Sequence, residues 1–182
     1  MAYPFTKKLT TTKKSPGINV DTGIVIHHTA GGTFESNMRY LSQWNAKASV
    51  HFVIWENWEV GKIGDPKDIL RHAGNWTWGG CENVNYKFMW IEVVGNGEYN
   101  IHQFLALTDL VEYLMGNFPI DRENIVRHQD VTQERSITRK RELRDWKRKT
   151  IKHDIEQTFF VNNAHFKIWR DQLTPRKESR FK

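Results

Sequence analysis

The sequence predicts an α/β protein built on a single mixed β-sheet with helices packed against it. Short apolar runs rich in β-branched residues, such as 23–26 and 89–94, are typical of strands buried on both faces. Between them lie longer segments whose apolar residues recur at helical spacing, as in 35–45 and 101–117. Strands that alternate with helices form a sheet covered by those helices, and 182 residues suffice for one full core. We therefore expect one main domain with an appendage.

The elements are expected in a definite chain order. An extended arm (1–21) precedes a strand (23–26), a helix (35–45), a hairpin (50–55 and 58–63), a strand (89–94), a helix (101–117) and a short last strand (125–126). The arm is rich in Thr, Lys and Pro, and the first strand is followed by a Gly-rich turn. In the first helix, Met38, Leu41 and Trp44 fall on one side.

The later elements rest on turn and helix-end signals. Apolar residues cluster on both sides of Glu56-Asn57, which indicates a hairpin. The second helix has apolar residues along one face from Phe104 to Leu114 and ends ahead of Pro119. Each of these signals is local, so each predicts where an element begins or ends but not which strands are neighbours.

The net charge of +6 is concentrated in one segment, since residues 139–152 contain eight Lys or Arg and two acidic residues. This segment is compatible with helix, and we place a boundary near Thr150 between a main domain (22–150) and a basic helical extension (151–182). The charge predicts a partner with negative charge, either nucleic acid or an anionic cell envelope. Composition alone does not choose between them.

Cysteine content and the N-terminus bear on where the chain is made. Cys81 is the only cysteine, so an intrachain disulfide is impossible. Residues 1–18 lack an apolar leader, and no stretch approaches the ~20 apolar residues that span a bilayer. We therefore expect synthesis in the cytoplasm without a signal peptide, and a separate means of delivery if the substrate lies outside the membrane.

Two histidines follow predicted buried strands. His27 comes after the strand 23–26 and before a Gly-rich turn, and His128 follows the strand 125–126 after one intervening residue. A rigid strand end that opens on a cleft is good geometry for a metal ligand, although a single histidine in such a place is more often structural. A catalytic zinc site takes three protein ligands and keeps one open position, so a third ligand is required.

Five segments, in a fixed order, carry a resemblance to a known family. They are IVIHHTAG (24–31), SVHFVI (49–54), RHAG (71–74), WIEVVG (90–95) and VRHQDV (126–131). Together they resemble the type 2 N-acetylmuramoyl-L-alanine amidases, which include phage lysozyme-type amidases, cytosolic muropeptide-recycling amidases and peptidoglycan recognition proteins. The resemblance covers roughly residues 23–146 and implies the fold of that family.

The resemblance also implies a zinc site. His27 and His128 match the zinc histidines of the family. Glu142 matches its acidic third ligand, and Lys140, two residues earlier, matches a lysine that stabilises the oxyanion. The segment departs from the family because it has Glu for Asp, lacks the following Pro-Gly and lies farther from His128 than usual. Asp130 is the alternative third ligand, and a solvated helix face is the alternative interpretation of the basic run.

A base and a substrate groove complete the implied site. Glu92 lies in a strand expected to be buried, where a carboxylate must be paired, bound or functional. The matching Glu of recycling amidases is the general base, and residues 49–50 lack the tyrosine of phage lysozyme-type relatives, so we expect Glu92 to be the base. Substrate-binding residues are expected at His51, His72, Asn75 and Trp78. A tryptophan considered singly is better explained as core.

The implied function is zinc-dependent hydrolysis of the amide bond between N-acetylmuramic acid and L-alanine in peptidoglycan. We favour a monomeric, phage-type endolysin that acts on the cell wall after release, with its basic C-terminus docked on the anionic envelope. A non-catalytic peptidoglycan-binding protein and a cytosolic muropeptide-recycling amidase are the alternatives. Nucleic-acid binding ranks lower, because no nucleic-acid motif accompanies the charge.

Overall fold

The computed structural model describes residues 3–72, 74, 76–95, 99–131 and 163–179. The strands in these ranges are β1 (Lys7–Lys8), β2 (Lys14–Ser15), β3 (Gly23–His28), β4 (Phe52–Ile54), β5 (Val60–Lys62), β6 (Ile69–Leu70), β7 (Phe88–Val93) and β8 (Ile125–Arg127). The α-helices α1 (Phe34–Ser42), α2 (Ile101–Asn117) and α3 (Asn163–Gln172) lie in these ranges, residues 128–131 directly after β8 are also helical, and Val84–Tyr86 and Arg122–Asn124 form 3-10 turns.

Six strands form one mixed sheet in the order β1-β5-β4-β7-β3-β8, and β2 pairs with β6 in a small antiparallel ribbon. Strands β4, β7, β3 and β8 run parallel to one another, while β5 is antiparallel to β4 across the predicted hairpin. The predicted mixed central sheet with flanking helices is confirmed.

The sheet has two buried faces, because side chains alternate along each strand. Ile24 and Ile91 point to the face covered by α2 and belong to its apolar core, so we call this the α2 face. Val25, Trp90 and Val126 point to the opposite face and pack with residues of α1, and we call this the site face. Strands β3 and β7 are buried on both faces, which explains their uninterrupted apolar sequences.

Helix α1 is shorter than its apolar pattern predicts. It begins with a capping box in which Thr33 and Ser36 satisfy each other's backbone N–H groups, and it ends at Ser42. Met38 and Leu41 are buried, whereas Trp44 lies beyond the helix and is 77% exposed. The placement of Trp44 on the apolar side of this helix was wrong, because the helix ends at Ser42, before it reaches residue 44.

Helix α2 has the predicted bounds and packs against both the sheet and the C-terminal segment. Its capping box joins Asn100 and Gln103. Phe166, Trp169 and Leu173 of the segment 163–179 are buried in the same apolar core as α2. Residues 132–162 lie outside the described residues, and the domain boundary near residue 150 stays a prediction.

The N-terminal arm forms edge strands that its sequence did not predict. β1 pairs with β5 at the sheet edge, and β2 pairs with β6. Tyr3 is buried in the core of the α2 face. In the described part of the chain, none of the helices is long and apolar enough to cross a membrane.

Candidate active site

The site lies where β3, β7 and β8 end, on the site face. His27 is paired in register with Glu92, and Ile26 is paired with Arg127, the residue before His128. Since side chains alternate along a strand, His27 follows Val25 and Glu92 follows Trp90 onto the site face. His128 is the first helical residue after β8, and its ring lies against those of His27 and Trp76 on the same face. The carboxyl ends of parallel strands are the usual location of sites in open α/β sheets.

Glu92 is held by two histidines through a single oxygen. Its Oε1 lies 2.9 Å from His27 Nδ1 and 2.8 Å from His72 Nε2, so both rings donate to the same atom. Its Oε2 is buried and has no hydrogen-bond partner among the described residues. A neutral His27 that donates from Nδ1 carries its lone pair on Nε2, the nitrogen that can bind a metal.

The two histidines also set the charge of Glu92. Burial alone would raise the pKa of this carboxyl, but the positive charge that His27 and His72 carry when protonated, together with the hydrogen bonds that both rings donate, outweighs that effect. The pKa of Glu92 is therefore held well below its usual range. Glu92 is an ionised carboxylate at neutral pH, which is the form a general base requires.

His128 lies against His27 and Trp76. The centroid of its ring is 4.4 Å from that of His27 and 4.9 Å from that of Trp76. Asp130, the alternative third ligand, binds Arg127 instead, with its Oδ2 accepting from the backbone N–H and Nε and its Oδ1 from a terminal guanidinium nitrogen. Both oxygens of Asp130 are thus engaged away from the histidines.

The histidines and the carboxylate form a group that can hold a metal ion. One donor atom from each of His27, His72 and Glu92 lies within 4.8 Å of the others. His128, whose ring lies beside that of His27, adds a third imidazole to this part of the site. Glu142 and Lys140, which the sequence also assigned to the site, lie outside the described residues.

The comparison with known families identifies the chain. Residues 17–142, well over half of its length, match the N-acetylmuramoyl-L-alanine amidase family. The chain belongs to this family. The resemblance carried by the five sequence segments is thereby confirmed.

Solved structures with the amidase fold are similar to the chain. PlyL has 18% identity and a TM-score of 0.59, covering 78% of this chain and 92% of its own. A mutant endolysin from Bacillus subtilis has 19% identity and a TM-score of 0.57, covering 76% and 94%. An AmpD derivative has 17% identity and a TM-score of 0.58, covering 74% and 90%. At these identities the likeness shows the fold, and no curated protein matched the chain.

In this amidase-family chain, Asn85 fixes the loop that carries His72. Its Oδ1 accepts from the backbone N–H of His72, and its Nδ2 donates to the carbonyl of Gly74. His72 also stacks on Trp90, with ring centroids 4.8 Å apart. Sequence reasoning missed Asn85, and its one signal, a polar residue before the apolar strand β7, is too common to identify such a role.

The groove residues are divided by the structure. His72 contacts Glu92. Trp78 is partly exposed and forms a tight turn with Cys81. The two residues between them, Gly79 and Gly80, take the positive φ values that this turn requires. Asn75 lies outside the described residues. Trp76 is buried and packs on His128.

His51 is not brought to the site. Its ring is fully buried, with Nδ1 accepting from the backbone N–H of Trp90 and Nε2 donating to the carbonyl of Asp68. Burial lowers its pKa to about 4, so the ring is neutral. Both nitrogens bind backbone groups, so His51 connects β7 to the segment just ahead of β6, and a role for it in substrate binding stays a prediction.

Proposed function

We propose that the chain is a zinc-dependent N-acetylmuramoyl-L-alanine amidase, which hydrolyses the amide bond between N-acetylmuramic acid and L-alanine in peptidoglycan. Family membership supports the reaction class. The geometry of Glu92 is the single observation that carries the mechanism: a buried carboxylate has one oxygen held by two histidines and the other unbonded among the described residues. Such a group is positioned to exchange a proton with a substrate or a water.

The residues present fit a zinc ion. Imidazole nitrogens and carboxylate oxygens are zinc ligands, and a catalytic site uses three of them. Glu92 Oε2 and His72 Nδ1 are buried and have no hydrogen-bond partner in the part of the chain that the structure describes, which is unusual unless a ligand or a reaction uses them. We propose His27, His128 and Glu142 as ligands, with Lys140 beside them. When bound, zinc polarises the substrate carbonyl and lowers the pKa of a bound water.

Glu92 then performs the proton transfers. Its Oε1 stays bonded to His27 and His72, which fixes the orientation of the carboxylate. Its Oε2 accepts the proton of the attacking water and returns it to the leaving amine of L-alanine. Trp76 and Trp90 pack against the rings of His128 and His72 and keep bulk water from their buried sides. Asn75 and Trp78 are proposed to contact the substrate along the groove.

Digestion of purified sacculi tests this proposal. The wild-type protein is expected to release stem peptides with a free L-alanine amino terminus, detected by mass spectrometry. A chelator should abolish the release, and added zinc should restore it. Binding to sacculi with zinc present but without released peptide would favour the alternative, a non-catalytic peptidoglycan-binding protein.

We also propose a lytic role, as a monomeric phage-type endolysin that reaches the wall after release. The net charge of +6 suits an anionic envelope, and the basic residues 139–152 are the proposed docking segment. Cleavage per bond should be faster on intact sacculi than on soluble anhydro-muropeptides, and the reverse preference would favour a recycling enzyme. Replacing Lys147, Lys149 and Lys152 by Gln should weaken sedimentation with sacculi at low salt.

A further inference from the structure

We propose that the C-terminal helix α3 holds His128 in position through Arg127, which makes Phe166 and Arg127 positioning residues of the active site. The proposal rests on the function proposed above, in which His128 binds zinc. It assigns to residues 163–179, which lie beyond the family match at 17–142, a role in the geometry of the metal site.

Arg127 encloses the backbone on both sides of His128. Its guanidinium donates to both carboxylate oxygens of Asp130, at 2.9 Å from Nε and 2.6 Å from a terminal nitrogen, and its backbone N–H donates to the same carboxylate at 2.9 Å. With the Gln129 amide turned so that its oxygen faces the guanidinium, that oxygen accepts two further hydrogen bonds, of 2.9 Å and 3.2 Å. The segment 127–130 is therefore closed into a ring that contains His128.

Arg127, the last residue of β8, and His128, the next residue, lie on opposite faces of the sheet. The ring of His128 contacts His27 and Trp76 on the site face, whereas the guanidinium of Arg127 lies over the ring of Phe166 in the core of the α2 face, 4.8 Å from the centroid. Arg127 is only 4% exposed. A buried guanidinium that is paired and stacked has little freedom to move, so the position of Phe166 is transmitted to the residue beside the metal ligand.

Helix α3 is itself fixed to the domain from two sides. Trp169 Nε1 donates to Thr108 Oγ1 of α2 at 3.0 Å, and Arg122, just ahead of β8, donates to the carbonyl of Leu173 at 2.7 Å. Phe166 and Trp169 are both buried, and their ring centroids are 5.6 Å apart. The ring beneath Arg127 is thus part of the core.

The residues after α3 are fastened along one side of α2. Glu112 accepts from the backbone N–H of Thr174 and from Arg176 Nε, and Asp109 accepts from Ser179 Oγ. A side chain at Gly116 would overlap the backbone of Arg176, with a Cβ 1.9 Å from its carbonyl oxygen. Positions 109, 112 and 116 are spaced to share one side of the helix, so α2 is adapted along its length to this segment.

A purely structural contact and a positioning contact predict different results. If Phe166 only fills space, its loss lowers stability and leaves the metal site of the folded protein unchanged. If it positions His128 through Arg127, its loss changes the metal geometry and affinity even where the protein is fully folded. Residues one step removed from metal ligands typically change metal affinity 10–100-fold when mutated.

The experiment uses the full chain loaded with Co²⁺, whose visible spectrum reports ligand geometry, and measures Zn²⁺ affinity by competition with a chelator. Phe166→Leu and Arg127→Leu are expected to weaken Zn²⁺ binding about tenfold and to alter the Co²⁺ spectrum. Phe166→Tyr retains a ring and should retain the wild-type spectrum. Leu173→Ala, a buried change in the same segment, is the matched control, and it should lower the Tm without changing the spectrum or the affinity.

Three results would overturn the proposal, and they are distinguishable. Wild-type affinity and spectrum in folded Phe166→Leu and Arg127→Leu would refute the positioning role while leaving the amidase proposal intact. A wild-type protein that binds neither Zn²⁺ nor Co²⁺, or that keeps its metal in His128→Ala, would refute the proposed zinc site and the positioning role with it. An equal spectral change in Leu173→Ala would show that any loosening of the segment suffices, which also removes the specific role of Phe166.

Discussion

The two faces of the central sheet differ in how many oxygens of a buried carboxylate are hydrogen-bonded. On the α2 face, Glu112 is 2% exposed and uses both oxygens, one for Thr174 N–H and the other for Arg176 Nε. On the site face, Glu92 is 4% exposed but uses only Oε1, which accepts from two histidines, while Oε2 has no partner among the described residues.

We infer that this difference separates a structural acid, Glu112, from the proposed general base, Glu92. A buried carboxylate is costly unless its oxygens are hydrogen-bonded, so Glu112 with full pairing stabilises the attachment of the C-terminal segment. Glu92 has its charge stabilised by His27 and His72, yet keeps one oxygen for another partner. Burial is common to both acids, and the oxygen without a partner among the described residues is what distinguishes Glu92, the proposed base.

The largest expected effect comes from the same substitution made on both faces. Glu92→Gln should lower kcat by about 10²–10⁴ because the amide cannot take the proton, while the folded state persists. Glu112→Gln should leave kcat near the wild-type value and lower the free energy of unfolding by about 1–3 kcal/mol, since it weakens buried charge-assisted bonds. Stem-peptide release and urea unfolding measure the two quantities. Equal loss of kcat in both variants would contradict the distinction.

A second pair of variants separates the metal ligands from the histidine that supports Glu92. His128→Ala removes a proposed ligand and should lower Zn²⁺ affinity by more than about 100-fold, whereas His72→Ala should keep the metal and lower kcat by about 10–100-fold. Zinc content after dialysis, determined by atomic absorption, gives the first quantity. Metal loss in His72→Ala together with retention in His128→Ala would instead place the ion on the group His27, His72 and Glu92.

Elements with strong local patterns could be predicted from the sequence. The apolar runs of β3 and β7 and the periodic apolar face of α2 require no knowledge of distant residues, and the structure has them close to the predicted bounds. The two-residue strands β1, β2 and β6 were missed because a strand of that length has no periodicity, and it exists only through its partner across the fold.

The site was predictable where a motif residue stands on a regular strand. Strand alternation brings His27 and Glu92 to one face once β3 and β7 are known to be neighbours, and His128 directly follows β8, the other neighbour of β3. The role of Asn85 depends on a loop conformation, and the pairing of Glu112 depends on residues more than sixty positions away. His51 was assigned to the groove because it lies in a family segment, but only the structure shows that both its nitrogens bind the backbone.

A third prediction concerns His51, which resembles Glu112 in that both of its polar side-chain atoms are hydrogen-bonded. Burial lowers its pKa to about 4. The hydrogen bond that its Nε2 donates to the carbonyl of Asp68 and the charges of Asp68 and Asp65 act in the opposite direction but are outweighed. In the unfolded chain this histidine takes up a proton near pH 6.5, whereas in the folded protein it stays neutral until about pH 4. The free energy of unfolding therefore falls by roughly 3 kcal/mol as the pH drops from about 6.5 to about 4. His51→Gln should flatten urea-unfolding stability over this window. If the wild-type pH dependence of stability persisted in His51→Gln, a group other than His51 would be its cause.

The smallest expected effect lies at the opposite end of β3 from the active site. Asp21 is buried, has a φ of 52° and has an Oδ1 without a partner among the described residues. Burial and the charge of Asp65 raise its pKa to about 7, against the opposing charge of Lys67. Because the folded state holds the proton more tightly than the unfolded chain, stability from this group is present below about pH 4 and is lost as the pH rises through 7.

Asp21→Asn tests whether a buried carboxyl without a full set of hydrogen bonds, outside the proposed active site, only lowers stability or also serves the activity. Asn tolerates positive φ as well as Asp and cannot ionise, so its Tm should exceed that of the wild type at pH 8 and match it at pH 4. Asp171→Asn, a change at an exposed position of α3, is the control and should show no such dependence. Stem-peptide release should be unchanged in both variants. A loss of activity in Asp21→Asn would mean that the spare oxygen of Asp21, like that of Glu92, serves function.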